Sequence, residues 1–538
     1  MTPYVAETFT AAEQSVLRRY FTNLDGPVFA LVNLPEVVKG ALFARYSRSS
    51  KSLRRLFLDE FVGDLELAGD VTVDATIGLD RAESLYQKVF VEYGDDSVAQ
   101  LGGVHLACEQ ASNLLTKILE WGRLMSYLEQ STRYISYDNR LGGRYRYHRD
   151  PGLVASQFGA RFVGDMDSMF DTYAALLPQL TEHFRGLVPK DPGDSDFIYR
   201  QAIRAKAFDA LRGLLPAASL SNVGIYGTGQ GFEQLLLRMR ASNLPEAVDY
   251  SQLMLEELRK VIPSFLRRVD VAERGGAWSE YLAHNRDEMR SLAARVLDES
   301  SVGREESRVT LVDFDPDGEI KMITAMLYPY SHLSEVQVEE QVRAMSVTDR
   351  VSVVRAYVGE RGNRRHKPGR ALERVDYRFD ILSDYGAFRD LQRHRLLTIE
   401  WQDLSPRHGF VRPEAIADAG AMEAYDEAMG VSAALYDTIA ADFPVQASYA
   451  VALAYRVRYV MQMNAREAMH LVELRSAPQG HPTYRTVAQD MHHLIAEGAG
   501  HRAVAEMMRF VDHSDGAELE RLEAERKAEA RRTGSAVG

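Results

Sequence analysis

The chain reads as an α+β protein, mostly helical and built as two similar halves. Three observations predict this: apolar residues at helical spacing through most of the chain, a few short strand-like runs, and segments that repeat in the same order. Helical spacing covers Leu53 to Phe61, Ala107 to Glu129, Phe232 to Met239, Tyr250 to Leu258, Val338 to Met345 and Val451 to Leu474. Strand character appears in Val309 to Phe314 and in Arg374 to Ile381, the latter with period-two alternation. The polar stretch Asp298 to Ser307 ends just before the first clear strand. It predicts a first domain over residues 1–290 and a second over 305–515, followed by a charged tail over 516–538.

The halves match in three places. Ala41-Leu42-Phe43-Ala44-Arg45-Tyr46-Ser47 resembles Ala325-Met326-Leu327-Tyr328-Pro329-Tyr330-Ser331, and Trp121-Gly122-Arg123 aligns with Arg393-His394-Arg395. Leu237-Arg238-Met239-Arg240 aligns with Val472-Glu473-Leu474-Arg475. The offset falls from 284 (325 − 41) to 272 (393 − 121) and 235 (472 − 237), as loop-length changes between colinear copies make it. A tandem duplication follows.

Composition bounds the function. The 538 residues, 46% hydrophobic, are enough to bury a core without disulfides and exclude a disordered chain. The single cysteine, Cys108, rules out a cysteine metal cluster and, in an apparent helix, reads as a packed small side chain. No metal site is expected. The start lacks a signal peptide pattern and no apolar run reaches about 18 residues, so a cytoplasmic protein with no membrane partner is expected. A net charge of −13 argues against nucleic-acid binding. Of the 64 basic residues 54 are arginine, the side chain suited to phosphates and planar ligands; codon bias gives the same excess.

Three constellations carry the chemistry. Arg393-His394-Arg395 follows the alternating strand and concentrates positive charge for a diphosphate or an electron-rich ring, or forms a solvated basic stretch bridged to Asp384 and Asp390. Asn464 and Arg475, with Arg466 between them, share one helix face about 16 Å apart, placed for a large ligand or for a polar seam. Ser131 and Arg133 offer a hydroxyl and a guanidinium to one phosphate, with Glu129 beside them for a sugar hydroxyl, or they form a capped turn.

Together these residues resemble the flavin-dependent thymidylate synthases. That family's signature runs Arg-His-Arg, Ser, Asn, Ser-x-Arg-Tyr, and a later helix carries Asn-x-Arg with a second Arg eleven residues after the Asn. Arg393-His394-Arg395 matches the opening, and Asn464, Arg466, Leu474 and Arg475 match the helix. Ser126, Glu129, Ser131, Arg133 and Tyr134 match the closing part in the other copy, and Arg212-Gly213-Leu214-Leu215-Pro216 resembles the family's nucleotide-phosphate segment. Neither copy matches throughout. Trp121-Gly122 replaces Arg-His in the first, with Gly229 and Gly231 at the helix positions and Asp95-Asp96-Ser97 for the family's His-x-Ser. The second has Thr398, Glu400 and Asp403 in place of Ser, Asn and Ser, and Gln479-Gly480-His481 for His-Ala-Gln.

The resemblance implies two tandem copies of a synthase-like domain, each mostly helical with a small antiparallel sheet. It implies methylation of deoxyuridylate to thymidylate with methylenetetrahydrofolate as carbon donor and NADPH as reductant through FAD. By the same resemblance Arg393, His394, Arg395, Asn464 and Arg466 hold FAD. Arg475 serves catalysis at the pyrimidine, and Glu129, Ser131, Arg133 and Arg212 bind the nucleotide. The complementary losses imply a homodimer acting as a pseudo-tetramer. The altered positions leave open a flavin-dependent methyltransferase for another pyrimidine nucleotide, or a non-catalytic flavin- or nucleotide-binding paralogue.

Overall fold

A computed structural model describes residues 4–34, 36–46, 48–60, 103–192, 194–298, 300 and 307–514. Asp95-Asp96-Ser97 and the charged tail lie outside them. Two four-stranded antiparallel sheets organise the chain. The first contains β1 (Val28–Leu31), β2 (Gly103–Ser112) and β3 (Ser126–Glu129). A small hairpin, β4 (Arg140–Leu141) and β5 (Arg144–Tyr145), precedes its last strand, β6 (Leu220–Thr228). The second consists of β7 (Val309–Phe314), β8 (Asp376–Asp384), β9 (Thr398–Trp401) and β10 (Arg456–Asn464). The strand orders, β1-β2-β6-β3 and β7-β8-β10-β9, are the same topology twice. The expected α+β architecture with a small antiparallel sheet in each of two copies is therefore what the chain adopts.

Two of the expected helices are partly strand. Ala107 to Glu129 divides into β2, the helix Asn113–Leu119 and β3. Val451 to Leu474 divides into β10 and the helix Ala465–Arg475. β2 is central, paired with β1 and β6, and a bulge between Cys108 and Ala111 breaks its alternation, so its apolar run reads as helix in isolation. β10 buries Val457, Tyr459, Met461 and Met463, a period of two that the long apolar stretch around it obscured. Cys108 consequently sits on a strand, fully buried, where desolvation pushes its thiol far up.

The ladders also correct the alignment of the copies. Ser126 faces Tyr226 where Thr398 faces Gln462, and Gly103 faces Thr228 where Asp376 faces Asn464. The helices that follow start from equivalent caps. The Thr228 hydroxyl accepts from the Gly231 amide at 3.2 Å, and the Asn464 amide oxygen accepts from the Glu467 amide at 3.0 Å. Thr228 rather than Gly229 is the counterpart of Asn464. Eleven residues further along, Met239 rather than Arg240 is the counterpart of Arg475.

The chain packs into two compact units, each discontinuous in sequence. The first comprises residues 1–177, 214–301 and 420–452; the second comprises 178–213, 302–419 and 453–538. A cut near 290–305 separates the copies of the sequence without separating the units. In the first unit Ala217 N–H donates to Val451 O at 2.8 Å, and Tyr449 Oη donates to buried Glu246 at 2.7 Å. Its core gathers Phe21, Phe29, Leu53, Leu56 and Phe57 against the sheet. In the second unit Ala454 N–H donates to Gly213 O at 3.0 Å, and Gln179 donates to Ala419 O at 2.7 Å. Its core includes Phe379, Ile381, and Phe388 packed on Tyr459 with ring centroids 5.0 Å apart. Among the described residues no helix is long and apolar enough to cross a membrane.

Candidate active site

In the second unit the short helix Tyr385–Leu391, capped by Asp384, delivers Arg393, His394 and Arg395 into the turn before β9. The helix Ala465–Arg475 leaves the end of β10 and passes the same turn. The two meet at His394, which is buried and has both ring nitrogens engaged. Nδ1 lies 2.9 Å from Glu467 Oε1, and Arg475 Nε donates to Nε2 at 3.0 Å. Burial and the Arg475 charge hold the His394 pKa well below its ordinary value, so the ring is neutral at pH 7. Burial raises Glu467, and it lowers neighbouring His470 to about 4.

Asp390 collects the guanidinium groups. It lies 3.4 Å from Arg212 and 4.0 Å from each of Arg393 and Arg475. Arg212 belongs to residues 178–213, the stretch of the first copy that packs in the second unit. Its side chain is 5% exposed, and its Nη2 has no hydrogen-bond partner among the described residues. A Cβ on Gly386 would lie 3.2 Å from that guanidinium, so glycine lets the short helix approach it closely. Arg475 is held on a third side by the Tyr484 ring, 5.5 Å from its guanidinium carbon.

The structure thus brings Arg212, Arg393, His394 and Arg475 together. Arg395 is exposed in the same turn. Arg466, from the first turn of the helix, donates to Pro368 O at 3.1 Å and pairs with Glu373 at 3.4 Å, while Asn464 caps the helix start. The remaining expected residues lie in the first unit. Glu129 is buried at the end of β3, where it accepts from Lys117 Nζ at 3.2 Å; that lysine also donates to Glu120 at 2.6 Å. The Ser131 hydroxyl accepts from the Arg133 amide at 3.3 Å, a turn in which both residues are half-buried.

Sequence reasoning missed Glu467 and His470 as members of the site and took Asp390 only as an acid bridging a solvated basic stretch. Glu467 and His470 stand three apart on the helix, a spacing that places them on one face and was readable. That they reach His394 depends on how the helix packs. His394, Glu467 and His470 bring three potential ligand atoms within 4.8 Å of one another. The positive field of Lys367, which depresses both histidines, and the Arg475 bond to Nε2 oppose a divalent cation there. An anionic or electron-rich ligand fits the cluster better, because an interior guanidinium nitrogen of Arg212 is left without an acceptor.

A profile of the family described as "Thymidylate synthase complementing protein" matches residues 42–264 and 310–499. A UPF0159 protein of Chlamydia muridarum is 41% identical over 97% of this chain and 99% of its own, and one of Chlamydia pneumoniae is 42% identical over 97% and 98%. The UPF0159 protein Ta1429 of Thermoplasma acidophilum is 32% identical over 90% of this chain and 97% of its own. Among solved structures, a UMP/dUMP methylase PolB from Streptomyces cacaoi bound with 5-Br dUMP aligns over 39% of this chain and 99% of its own, at 18% identity and a TM-score of 0.31. The profile covers most of each sheet-bearing region in turn, with β1 outside it, and the chain belongs to the thymidylate synthase complementing protein family, with the domain present twice in tandem.

Proposed function

We propose that the chain is a cytoplasmic, FAD-dependent enzyme that methylates deoxyuridylate to thymidylate, with methylenetetrahydrofolate as carbon donor and NADPH as reductant. The observation that carries this reading is the meeting of Arg212, Arg393 and Arg475 around one carboxylate, Asp390, within one compact unit, with His394 bonded to Arg475. Family membership supports methyl transfer, and the arginine cluster supports an anionic nucleotide and an electron-rich cofactor.

Arg393, with Arg395, Asn464 and Arg466, would hold FAD, which when bound supplies the redox chemistry. Arg212, whose buried nitrogen lacks an acceptor, would anchor the 5′-phosphate, a contact remote from the reacting carbon that orients the base. Arg475 would face a carbonyl oxygen of the pyrimidine and stabilise negative charge there as C5 becomes nucleophilic. Its place, fixed by His394, Asp390 and Tyr484 before any ligand arrives, needs no reorganisation during reaction. Glu129, Ser131 and Arg133 would bind the nucleotide.

The test is the visible spectrum of the purified protein and NADPH oxidation with and without deoxyuridylate. A yellow protein whose NADPH oxidation depends on deoxyuridylate and yields thymidylate is expected. A colourless protein, or turnover indifferent to the nucleotide, refutes the reading. We further propose a homodimer acting as a pseudo-tetramer: chains carrying Arg133→Ala, mixed with chains carrying Arg393→Ala, should recover activity. Absence of recovery in mixed dimers would refute sites shared between chains.

A further inference from the structure

We propose that Glu467 is a positioning residue that aims Arg475 by fixing the tautomer of His394. The functional consequence rests on the nucleotide-binding reading above; the geometry does not. An arginine Nε–H can only donate, so the Nε2 atom 3.0 Å away must present its lone pair. The proton of the neutral ring then resides on Nδ1, which donates to Glu467 Oε1 at 2.9 Å. A single tautomer satisfies both bonds, and the carboxylate selects it.

Without that carboxylate, Nε2–H and Nδ1–H rings become comparable in energy, and the former points a hydrogen at the Arg475 Nε–H. Because Nε–H lies in the guanidinium plane, an acceptor at that atom fixes the plane as well as the position. Asp390, at 4.0 Å, and Tyr484, through its ring and a side-chain hydrogen bond, complete the surroundings of the group.

The molecule carries its own control. At the ladder-equivalent positions of the first unit, His394, Glu467 and Arg475 are replaced by Gly122, Gly231 and Met239. All three functional side chains are absent together. A Glu–His pair that only stabilised the turn would have no reason to disappear along with the arginine eleven residues down the chain from Asn464.

The experiment uses the full chain with ¹⁵N-labelled histidine, the His394 signal being assigned by its loss in His394→Gln. The wild type is expected to show a neutral ring with the proton on Nδ1, and Glu467→Leu a mixed or Nε2-protonated ring. Glu467→Gln, whose amide oxygen still accepts, should keep the Nδ1 proton. Deoxyuridylate affinity should fall about 10-fold or more in Glu467→Leu and stay within about 3-fold in Glu467→Gln, with flavin content equal in both. An Nε2-protonated or charged ring in the wild type overturns the proposal, as does equal loss of affinity in the two variants. If the wild type binds no deoxyuridylate, the nucleotide reading fails, and the tautomer signal alone decides the role of Glu467. Should Glu467→Leu not fold, the wild-type signal and the glutamine variant still decide.

Discussion

In the second unit, the turn before β9 and the helix after β10 meet through His394, Glu467 and Arg475, at 2.9 and 3.0 Å. In the first unit the same backbone junction holds Gly122, Gly231 and Met239. A Cβ on Gly122 would lie 3.4 Å from the Met125 sulfur, and one on Gly231 would lie 3.2 Å from Met125 Cγ. Met125, 3% exposed, therefore fills the space where the polar side chains meet in the other unit. Trp121, at the Arg393 position, lies under the Arg238 guanidinium at 5.3 Å. One scaffold thus supports two interiors, a polar relay or a methionine plug flanked by the Arg238–Trp121 pair. An intermediate state is costly, because a buried charge or imidazole without its partner keeps its desolvation penalty. The triad is expected to be lost as a set.

The comparison is broken most severely by giving the second unit the residue of the first. Arg475→Met should lower methyl transfer about 10²–10³-fold, the effect of losing one preorganised donor, while flavin stays bound. Rate and flavin absorbance measured on the same preparation check this; undiminished turnover would remove Arg475 from the chemistry. Arg212→Ala should weaken deoxyuridylate binding by about 10- to 100-fold, as loss of a buried charged contact does, with little change in flavin content. Titration of the nucleotide by calorimetry reads it, and unchanged affinity would place the phosphate elsewhere.

The reverse manipulations act on stability. Met125→Ala opens a cavity in the first unit and should cost about 2–5 kcal/mol by denaturant melt, without altering flavin stoichiometry. A change in flavin content instead would tie Met125 to flavin binding. Gly122→Ala places a Cβ 2.5 Å from the Tyr127 hydroxyl, which donates to Gly122 O. Overpacking there should cost about 1–3 kcal/mol, seen as a lowered midpoint.

The smallest effect expected is a pH dependence confined to the second unit. His470 is lowered from 6.5 to about 4 in the folded protein, and burial also holds His394 well below its ordinary value. The unfolded chain binds more protons in this window, so these histidines contribute stability that is present above pH 6.5 and lost as pH falls towards 4. Stability measured from pH 7 to 4 should decline less steeply in a His394→Gln/His470→Gln double variant; an unchanged slope would assign the acid sensitivity to other groups.

The α+β class, the doubling, and the two motif segments Arg393-His394-Arg395 and Asn464 to Arg475 were legible in the sequence, because each rests on local spacing or on matched order along the chain. β2 and β10 were not, since a strand between two neighbours buries both faces or hides its alternation inside a longer apolar run. The one-residue register between copies was decided by strand pairing and by the Thr228 and Asn464 caps, which no string comparison reveals. Arg212, assigned from sequence to a nucleotide phosphate, gained its neighbours only when residues 178–213 packed in the unit of the second sheet. Local chemistry is written residue by residue, but which charges share a buried carboxylate depends on chain segments far apart in sequence, and burial sets that only after folding.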